Sequence, residues 1–327
     1  MAENAPLFAV VDIETTGFSP LVGDRIVEVG IVRVAGDGST VDEYVTLVNP
    51  LRDVGPTHVH GISQEDVDHA PMFSEVVGDV LSRLAGVIFV GHNARYDRDF
   101  LAAELSAAGI FLPAIPSLCT LKLGFRLHPE LGNHRLATCC EAAGVEHPLA
   151  HSAIDDARAT AALLSSYLAE AQEVGLATLK ALGLDPEAFP DSWPSLDPSG
   201  RTAVRTPGER AAAALPYLAR LVTALTINAA EEEVAPYVDL LDRALEDRQV
   251  TAAEAKALET IAREWGLSRE QVLSAHHSYL ESLVTAALAD GRVTFTERQD
   301  LEAVALLLAI DSSVLEAMLY RVAESSL

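Results

Sequence analysis

The sequence predicts an α/β domain over residues 1–172 and a separate all-α domain over residues 209–327. Strand-like and helix-like periodicities alternate up to about residue 172, which is the pattern of a layered α/β domain. After residue 209, Ala, Leu and Glu recur at helical spacing without a convincing strand-like run. Residues 173–208 are the predicted linker, because residues 183–208 contain five prolines and little periodicity.

The predicted strands of the first domain are β-branched or alternating runs bounded by Gly, Pro and Asp. They cover residues 7–13, 26–35, 41–48 and 87–91. The second and third strands are joined by the turn sequence GDGS, so we expect them to form a hairpin. Helical spacing predicts helices over about 74–84, 95–108, 136–143 and 155–172.

The predicted helical domain contains an internal repeat. The stretch ALEDRQVTAAEAKALETIA from Ala244 matches ALADGRVTFTERQDLEAVA from Ala287, at an offset of 43 residues. A duplicated helical hairpin is the simplest explanation. The stretch DGRVTFTE resembles half of an EF-hand loop, but carboxylates are missing at the preceding ligand positions. A helix that begins with Thr294 as N-cap and Glu297 three residues later explains the stretch better.

Composition excludes several classes of protein. A chain of 327 residues with 49% hydrophobic side chains can form two domains with cores of their own. Its apolar runs are shorter than the roughly 18 residues of a membrane span, and no signal pattern opens the chain, so we expect a cytoplasmic protein without a membrane partner. Three cysteines without paired spacing predict neither a disulfide framework nor a zinc site. The formal charge of −25 argues against broad, non-specific wrapping of nucleic acid.

The motif DIETTG, at the end of the first predicted strand, contains two acidic side chains. Because side chains alternate along a strand, Asp12 and Glu14 lie on the same face as the apolar Phe8 and Val10. By itself such a pair is more typical of hydrogen bonding in a turn or a cap. A functional role for the pair therefore requires further acidic partners.

Two later motifs supply candidate partners. In GHNARYD, Asn93 suits a helix N-cap and Asp97 lies on the inward face of the helix, where a structural role as a buried, paired Asp is the alternative. In HSAIDDA, His151 precedes a helix, and Asp155 and Asp156 occupy its first turn, where acids also complement the helix dipole. Spacing alone does not decide which of these two acids faces a site.

Together, the three motifs resemble in order and local pattern those of the DnaQ-like branch of the DEDD 3′–5′ exonucleases, which includes the proofreading ε subunit of bacterial DNA polymerase III. The resemblance covers about residues 1–170 and implies a ribonuclease H-like mixed sheet flanked by helices. The metal-binding acids that it implies are Asp12, Glu14, Asp97 and Asp156. It also implies that His151 is the general base, and it indicates the histidine (DEDDh) type, since Ser152 stands where the other branch has a tyrosine.

The implied chemistry explains the acidic residues. Four converging carboxylates raise one another's pKa values unless divalent cations neutralise them. Oxygen ligands favour two Mg²⁺ or Mn²⁺ ions, which activate water, orient the scissile phosphate and stabilise the leaving 3′-oxygen. The resemblance also implies groups that seat the terminal nucleotide, namely the backbone around Thr15 and Thr16 and the side chains of His60 and Asn93. For His60, a packing role is an equal alternative.

The implied substrate is the 3′ end of a nucleic acid, and the implied product is a nucleoside 5′-monophosphate. We favour single-stranded DNA as the substrate, because the DIETTG motif is closer to that of the polymerase-associated enzymes. The expected context is proofreading or repair, with a possible polymerase or repair partner. RNA stays open, since the metal-binding acids do not distinguish the sugars. A non-catalytic scaffold is a further alternative, which the complete set of acids disfavours. The helical domain weakly resembles TerB-like domains, and we expect it to bind protein or to self-associate.

Overall fold

The computed structural model describes residues 6–147, 151–173, 190, 192–205, 232–245, 252–288 and 292–325. The chain divides into two compact units. The first unit contains residues 1–129 and 135–209, and the second contains residues 130–134 and 210–327. Each unit is described separately below.

The first unit is built on a mixed five-stranded sheet. Its strands are β1 (Pro6–Thr15), β2 (Ile26–Ala35), β3 (Thr40–Leu47), β4 (Ile88–Gly91) and β5 (Ser117–Cys119), in the order β3-β2-β1-β4-β5. The first three strands pair antiparallel, whereas β4 runs parallel to β1 and β5 runs parallel to β4. The structure confirms the predicted α/β fold with its ribonuclease H-like mixed sheet, and also the β2–β3 hairpin.

Helices cover both the predicted stretches and several shorter ones. They are α1 (Thr57–His60), α2 (Gln64–Asp68), α3 (Phe73–Leu84), α4 (Ala94–Ala107), α5 (Thr120–Leu127), α6 (Leu136–Ala142) and α7 (Ala153–Glu173). The four predicted helices are α3, α4, α6 and α7, and each is confirmed to within two residues of its predicted bounds. Strand β5 and helices α1, α2 and α5 were not predicted from the sequence. Each of them is too short to show a clear periodicity.

Strand β1 lies at the centre of the sheet and carries the first acidic motif near its C-terminal end. Nearly all of β2 beside it is buried, which is typical of a sheet covered on both faces. Helix α7 packs against β1 and β2, and α4 packs against β1 and β4. The end of β1 therefore lies close to the helices that carry the second and third motifs.

Part of the predicted linker packs on the first unit, while its residues 174–189, 191 and 206–208 lie outside the described part of the chain. Residues 192–205, which we call the strap, follow the surface of this unit. Trp193 Nε1 donates a hydrogen bond to the carbonyl oxygen of Leu81 at 2.9 Å, and Ser199 donates its backbone N–H and its hydroxyl to Asp79 Oδ2, both at 2.8 Å. The prolines do prevent regular secondary structure, but these aromatic and polar anchors hold the segment in place.

In the second unit, the regular structure of residues 232–245, 252–288 and 292–325 is entirely helical. The helices are α8 (Ala235–Leu245), α9 (Ala252–Glu264), α10 (Arg269–Ala287), α11 (Phe295–Leu307) and α12 (Ser312–Ser325). Helices α9 and α11 begin and end 43 residues apart, which is the offset of the sequence repeat. Thr294 and Glu297 form the predicted capping box at the start of α11. No helix in the described part of the chain is long and apolar enough to cross a bilayer.

Candidate active site

The first two predicted site residues lie near the C-terminal end of the central strand β1. Asp12 and Glu14 are partly exposed, whereas Val11 and Ile13 on the opposite face are buried. In the antiparallel register with β2, Asp12 is opposite Gly30 and Glu14 is opposite Glu28. The alternation along β1 thus presents both carboxylates on the same side of the sheet, beside β2.

Gly30 allows helix α7 to begin directly against the sheet. A Cβ atom at this position would lie 2.3 Å from the carbonyl oxygen of Ala153 and 2.6 Å from the backbone nitrogen of Ile154. The Glu28 carboxylate accepts a hydrogen bond from the Ala153 N–H at 2.9 Å. Neither Glu28 nor Gly30 was identified from the sequence. Gly30 could have been noticed as a glycine inside a strand, because such a glycine often marks the close approach of another backbone.

The seating of α7 brings Asp156 to the two acids of β1. One carboxylate oxygen from each of Asp12, Glu14 and Asp156 lies within 4.8 Å of the other two. Asp155 instead forms an ion pair with Arg158 at 3.0 Å. The structure thus distinguishes the two neighbouring acids that spacing left open. We call Asp12, Glu14 and Asp156 the acidic cluster.

Asp97 lies in the first turn of α4, and its side chain is buried. Its Oδ2 atom is 3.0 Å from the position that a Cβ atom at Gly91 would occupy, so the glycine that ends β4 admits this carboxylate. Asp97 is not one of the three residues of the acidic cluster. Its assignment as a metal ligand therefore stays a prediction.

Two histidines contact Asp156 from the chain that leads into α7. The backbone N–H of His151 donates to Asp156 Oδ2 at 2.9 Å, and Nε2 of His147 lies 2.5 Å from Asp156 Oδ1. His151 has a φ of 65°, which is uncommon outside glycine and is concentrated at functional sites. His147 was not identified from the sequence, since no periodic pattern relates it to Asp156.

The predicted nucleotide-seating residues of the first motif support a turn. Thr15 Oγ1 donates to the carbonyl oxygen of Gly17 at 2.7 Å and lies 2.7 Å from Tyr96 Oη. Thr16 Oγ1 accepts a hydrogen bond from the backbone N–H of Arg25 at 3.1 Å. Both threonines are buried, so their side chains stabilise the end of β1.

The other two predicted seating residues, His60 and Asn93, are also buried. His60 Nδ1 accepts a hydrogen bond from the Ile62 N–H at 3.0 Å, and its Nε2 lies 3.2 Å from the carbonyl oxygen of Val54. These contacts support the packing alternative for His60. Asn93 occupies the predicted N-cap position of α4, with a φ of 76° in the left-handed region that asparagine tolerates.

The acidic cluster fits a hard divalent cation. Its three converging ligand atoms are all carboxylate oxygens, the donor type that Mg²⁺, Mn²⁺ and Ca²⁺ prefer. Charged carboxylates this close repel one another, and a bound cation offsets that repulsion. The arrangement therefore has both the donor chemistry and the electrostatic need for a divalent metal ion.

We expect Gly30→Ala to misalign the acidic cluster. The new methyl group must displace the start of α7, which costs about 1–3 kcal/mol of folding free energy by overpacking. Asp156 would move with the helix, so Mn²⁺ binding should weaken as well. Thermal unfolding and calorimetric Mn²⁺ titration measure the two effects.

The matched control is Gly86→Ala. Gly86 has a positive φ of 70° and nothing within 4 Å of its Cβ position, so alanine there costs roughly 1–2 kcal/mol through backbone strain alone. It should reduce stability without weakening Mn²⁺ binding. Equal Mn²⁺ affinity in the two variants would contradict the role of Gly30 in seating α7.

Comparison with known proteins identifies relatives of the first unit. Residues 9–164 match the protein family described as "Exonuclease". The chain is 37% identical over 172 residues to the PolC-type DNA polymerase III of Bacillus subtilis. The aligned region covers 52% of this chain and 12% of that protein. The chain is also 31% identical over 182 residues to the 3′-5′ exonuclease DinG of the same organism, covering 55% of this chain and 19% of DinG. The chain thus spans less than a fifth of the length of these relatives.

Two solved structures are also similar. One is Exonuclease X in complex with 5′ overhanging duplex DNA, at 27% identity and a TM-score of 0.40, covering 57% of this chain and 98% of that one. The other is Exonuclease I of Escherichia coli in complex with a dT13 oligonucleotide, at 19% identity and a TM-score of 0.48, covering 52% of this chain and 43% of that one.

Proposed function

We propose that the chain, whose residues 9–164 match the exonuclease family, is a metal-dependent 3′–5′ exonuclease. It would hydrolyse the last phosphodiester bond at the 3′ end of a nucleic acid and release a nucleoside 5′-monophosphate. The convergence of Asp12, Glu14 and Asp156 at the end of β1 carries this proposal, because it lies within the residues that match the family.

The proposed cofactor is a pair of Mg²⁺ or Mn²⁺ ions. Asp12, Glu14 and Asp156 would hold the metal, with Asp97 as a further ligand. When bound, divalent cations supply the positive charge that stabilises the scissile phosphate and the leaving oxygen. Because the acidic ligands would hold these cations, a chain with a formal charge of −25 could still bind a phosphate locally through the bound metal ions.

His151 is the proposed general base. Its imidazole would accept the proton of the attacking water, a role for which imidazole is well suited near neutral pH. Its backbone N–H holds one oxygen of Asp156, so the residue that supplies the proposed base also positions a proposed metal ligand. The other oxygen of Asp156 faces His147, which would help to orient this carboxylate.

Single-stranded DNA is the proposed substrate, and proofreading or repair is the proposed context. The similarity to PolC-type DNA polymerase III supports DNA and a polymerase or repair partner. RNA is the alternative, because carboxylate ligands do not sense the 2′-hydroxyl and discrimination depends on contacts to the sugar. For residues 209–327, we propose a protein-binding or self-associating role.

The test is digestion of matched 5′-labelled DNA and RNA oligonucleotides with Mg²⁺ or Mn²⁺. We expect a ladder that shortens from the 3′ end, with nucleoside 5′-monophosphates as products and faster decay of DNA. Faster decay of RNA would overturn the DNA assignment but not the exonuclease.

Two controls establish that the chain itself is the source of the activity. Excess EDTA should stop the digestion, and Asp12→Ala, purified in the same way, should show none. If the wild type cleaves neither oligonucleotide, or if Asp12→Ala cleaves as fast as the wild type, the proposed function is wrong and a non-catalytic scaffold becomes the better explanation.

A further inference from the structure

Arg205, in the strap, forms a buried ion pair beside the acidic cluster. Its Nε lies 2.7 Å from Glu28 Oε1, and its Nη2 lies 2.6 Å from Glu28 Oε2. The Glu28 side chain is only 2% exposed and the Arg205 side chain 20%. Arg205 also donates to the carbonyl oxygen of His60. The guanidinium is therefore fixed by a two-pronged, charge-assisted contact and by a third hydrogen bond.

Glu28 connects this arginine to helix α7. The same Oε2 atom that accepts from Arg205 also accepts from the backbone N–H of Ala153 at 2.9 Å. Ala153 is the first residue of α7, and Asp156 follows three residues later. Glu28 is also opposite Glu14 in the sheet register. One carboxylate thus links the strap, the start of α7 and the strand pair that carries Glu14.

The electrostatics of Arg205 agree with this placement. Burial lowers the pKa of its guanidinium, but the hydrogen-bonded Glu28 and the negative charges of Glu14 and Asp156 outweigh burial and raise that pKa overall. Arg205 therefore lies within the electrostatic field of two members of the acidic cluster. It contributes positive charge to a region where carboxylates accumulate.

The strap holds Arg205 in register through backbone contacts two residues earlier. The backbone N–H of Leu47 donates to the carbonyl oxygen of Ala203 at 2.6 Å, and the Ala203 N–H donates to Thr46 Oγ1 at 3.1 Å. These contacts attach the strap to the last residues of β3. The position of Arg205 beside Glu28 is thus set by the contacts of the Ala203 backbone and not only by the reach of the long arginine side chain.

We propose that Arg205 is a positioning residue for the exonuclease reaction. It holds the Glu28 carboxylate and, through the Ala153 N–H, the start of α7, so that Asp156 stays aligned with Asp12 and Glu14. Without the guanidinium, Glu28 would be a buried and uncompensated charge, which is strongly unfavourable. The carboxylate would then move, and α7 would lose its anchor. This inference rests on the proposed function.

The test compares Arg205→Gln with the wild type in the full chain. Calorimetric titration with Mn²⁺, without nucleic acid, measures the cluster directly, and oligonucleotide digestion gives kcat and KM. We expect Mn²⁺ affinity and kcat at limiting Mn²⁺ each to fall by about 10–100-fold, the usual effect of losing a partner that orients a metal ligand. The KM for the oligonucleotide should change little, because Arg205 acts through Glu28 and not on the substrate.

Arg205→Lys and Arg201→Gln complete the experiment. Lysine keeps the charge but not the two-pronged geometry, so its Mn²⁺ affinity should lie between those of the wild type and Arg205→Gln. Arg201 belongs to the same strap and pairs with Glu75, with 61% of its side chain exposed. Arg201→Gln should therefore bind Mn²⁺ and cleave as the wild type does.

Several outcomes would overturn the inference. Wild-type Mn²⁺ affinity and kcat in Arg205→Gln would do so, and so would a raised KM with unchanged Mn²⁺ affinity, which would make Arg205 a substrate-binding residue. If Arg205→Gln does not fold, Arg205→Lys decides, and wild-type Mn²⁺ affinity in that variant contradicts the positioning role. If the wild type cleaves no oligonucleotide, the proposed function fails, while the Mn²⁺ titrations still test the link from Arg205 to the cluster.

Discussion

Asp156→Asn should lower kcat by more than about 100-fold, because losing a direct metal ligand costs more than losing a partner that merely orients one. Asp155→Asn should leave kcat close to that of the wild type. The two acids are adjacent in sequence, but only Asp156 lies in the acidic cluster, whereas Asp155 pairs with Arg158. Oligonucleotide digestion at saturating Mn²⁺ measures both variants under identical conditions.

Comparing these two variants separates the proposed role of Asp156 as a metal ligand from the general effect of losing one negative charge. Each substitution removes one negative charge from the first turn of α7, so each weakens the favourable interaction with the helix dipole to a similar extent. Equal activity of the two variants, whether both active or both inactive, would contradict the assignment of Asp156.

His151→Gln should lower kcat by about 10²–10⁴-fold, the range expected when a general base is removed. High Mn²⁺ should not restore the loss, since the substitution leaves the backbone N–H that holds Asp156. His147→Gln should weaken Mn²⁺ binding, because His147 contacts Asp156 Oδ1. High Mn²⁺ should recover most of its activity.

The comparison of the two histidines assigns the base. Single-turnover digestion at several Mn²⁺ concentrations separates metal binding from the chemical step. A loss in His147→Gln that persists at saturating Mn²⁺, together with normal rates in His151→Gln, would make His147 the base and would contradict the role proposed for His151.

The long elements of the first unit could be predicted because their patterns are local. Strand β2 is a ten-residue run of mainly β-branched and apolar side chains, and α4 has a clear helical stripe that includes Phe100 and Leu101. The three-residue strand β5 could not be found in this way. It is held by pairing with β4, which a local pattern does not reveal.

The candidate site was partly predictable for the same reason. Alternation along β1 places Asp12 and Glu14 together without further information. Spacing did not decide between Asp155 and Asp156, whereas the resemblance of the motifs assigned Asp156. In the structure, α7 begins against Gly30 and brings Asp156, not Asp155, to Asp12 and Glu14. The part played by Gly30 was not foreseen, because this residue lies more than a hundred positions before α7 in the chain.

The strap shows a second limit of pattern reading. Its proline content correctly indicated the absence of helices and strands, but composition says nothing about long-range partners. The ion pair between Arg205 and Glu28 joins residues 177 positions apart. Such a contact is a property of the folded chain, and its location beside the acidic cluster emerged only from the structure.

Anomalous scattering from a crystal of the full chain soaked in Mn²⁺ would locate the metal directly. We expect an anomalous peak in contact with the carboxylates of Asp12, Glu14 and Asp156, and its loss in Asp12→Asn crystals. The same map would show whether Asp97 contributes a ligand. Mn²⁺ bound elsewhere in the wild type, with no peak at these three carboxylates, would contradict the claim that the acidic cluster is the metal centre of an exonuclease.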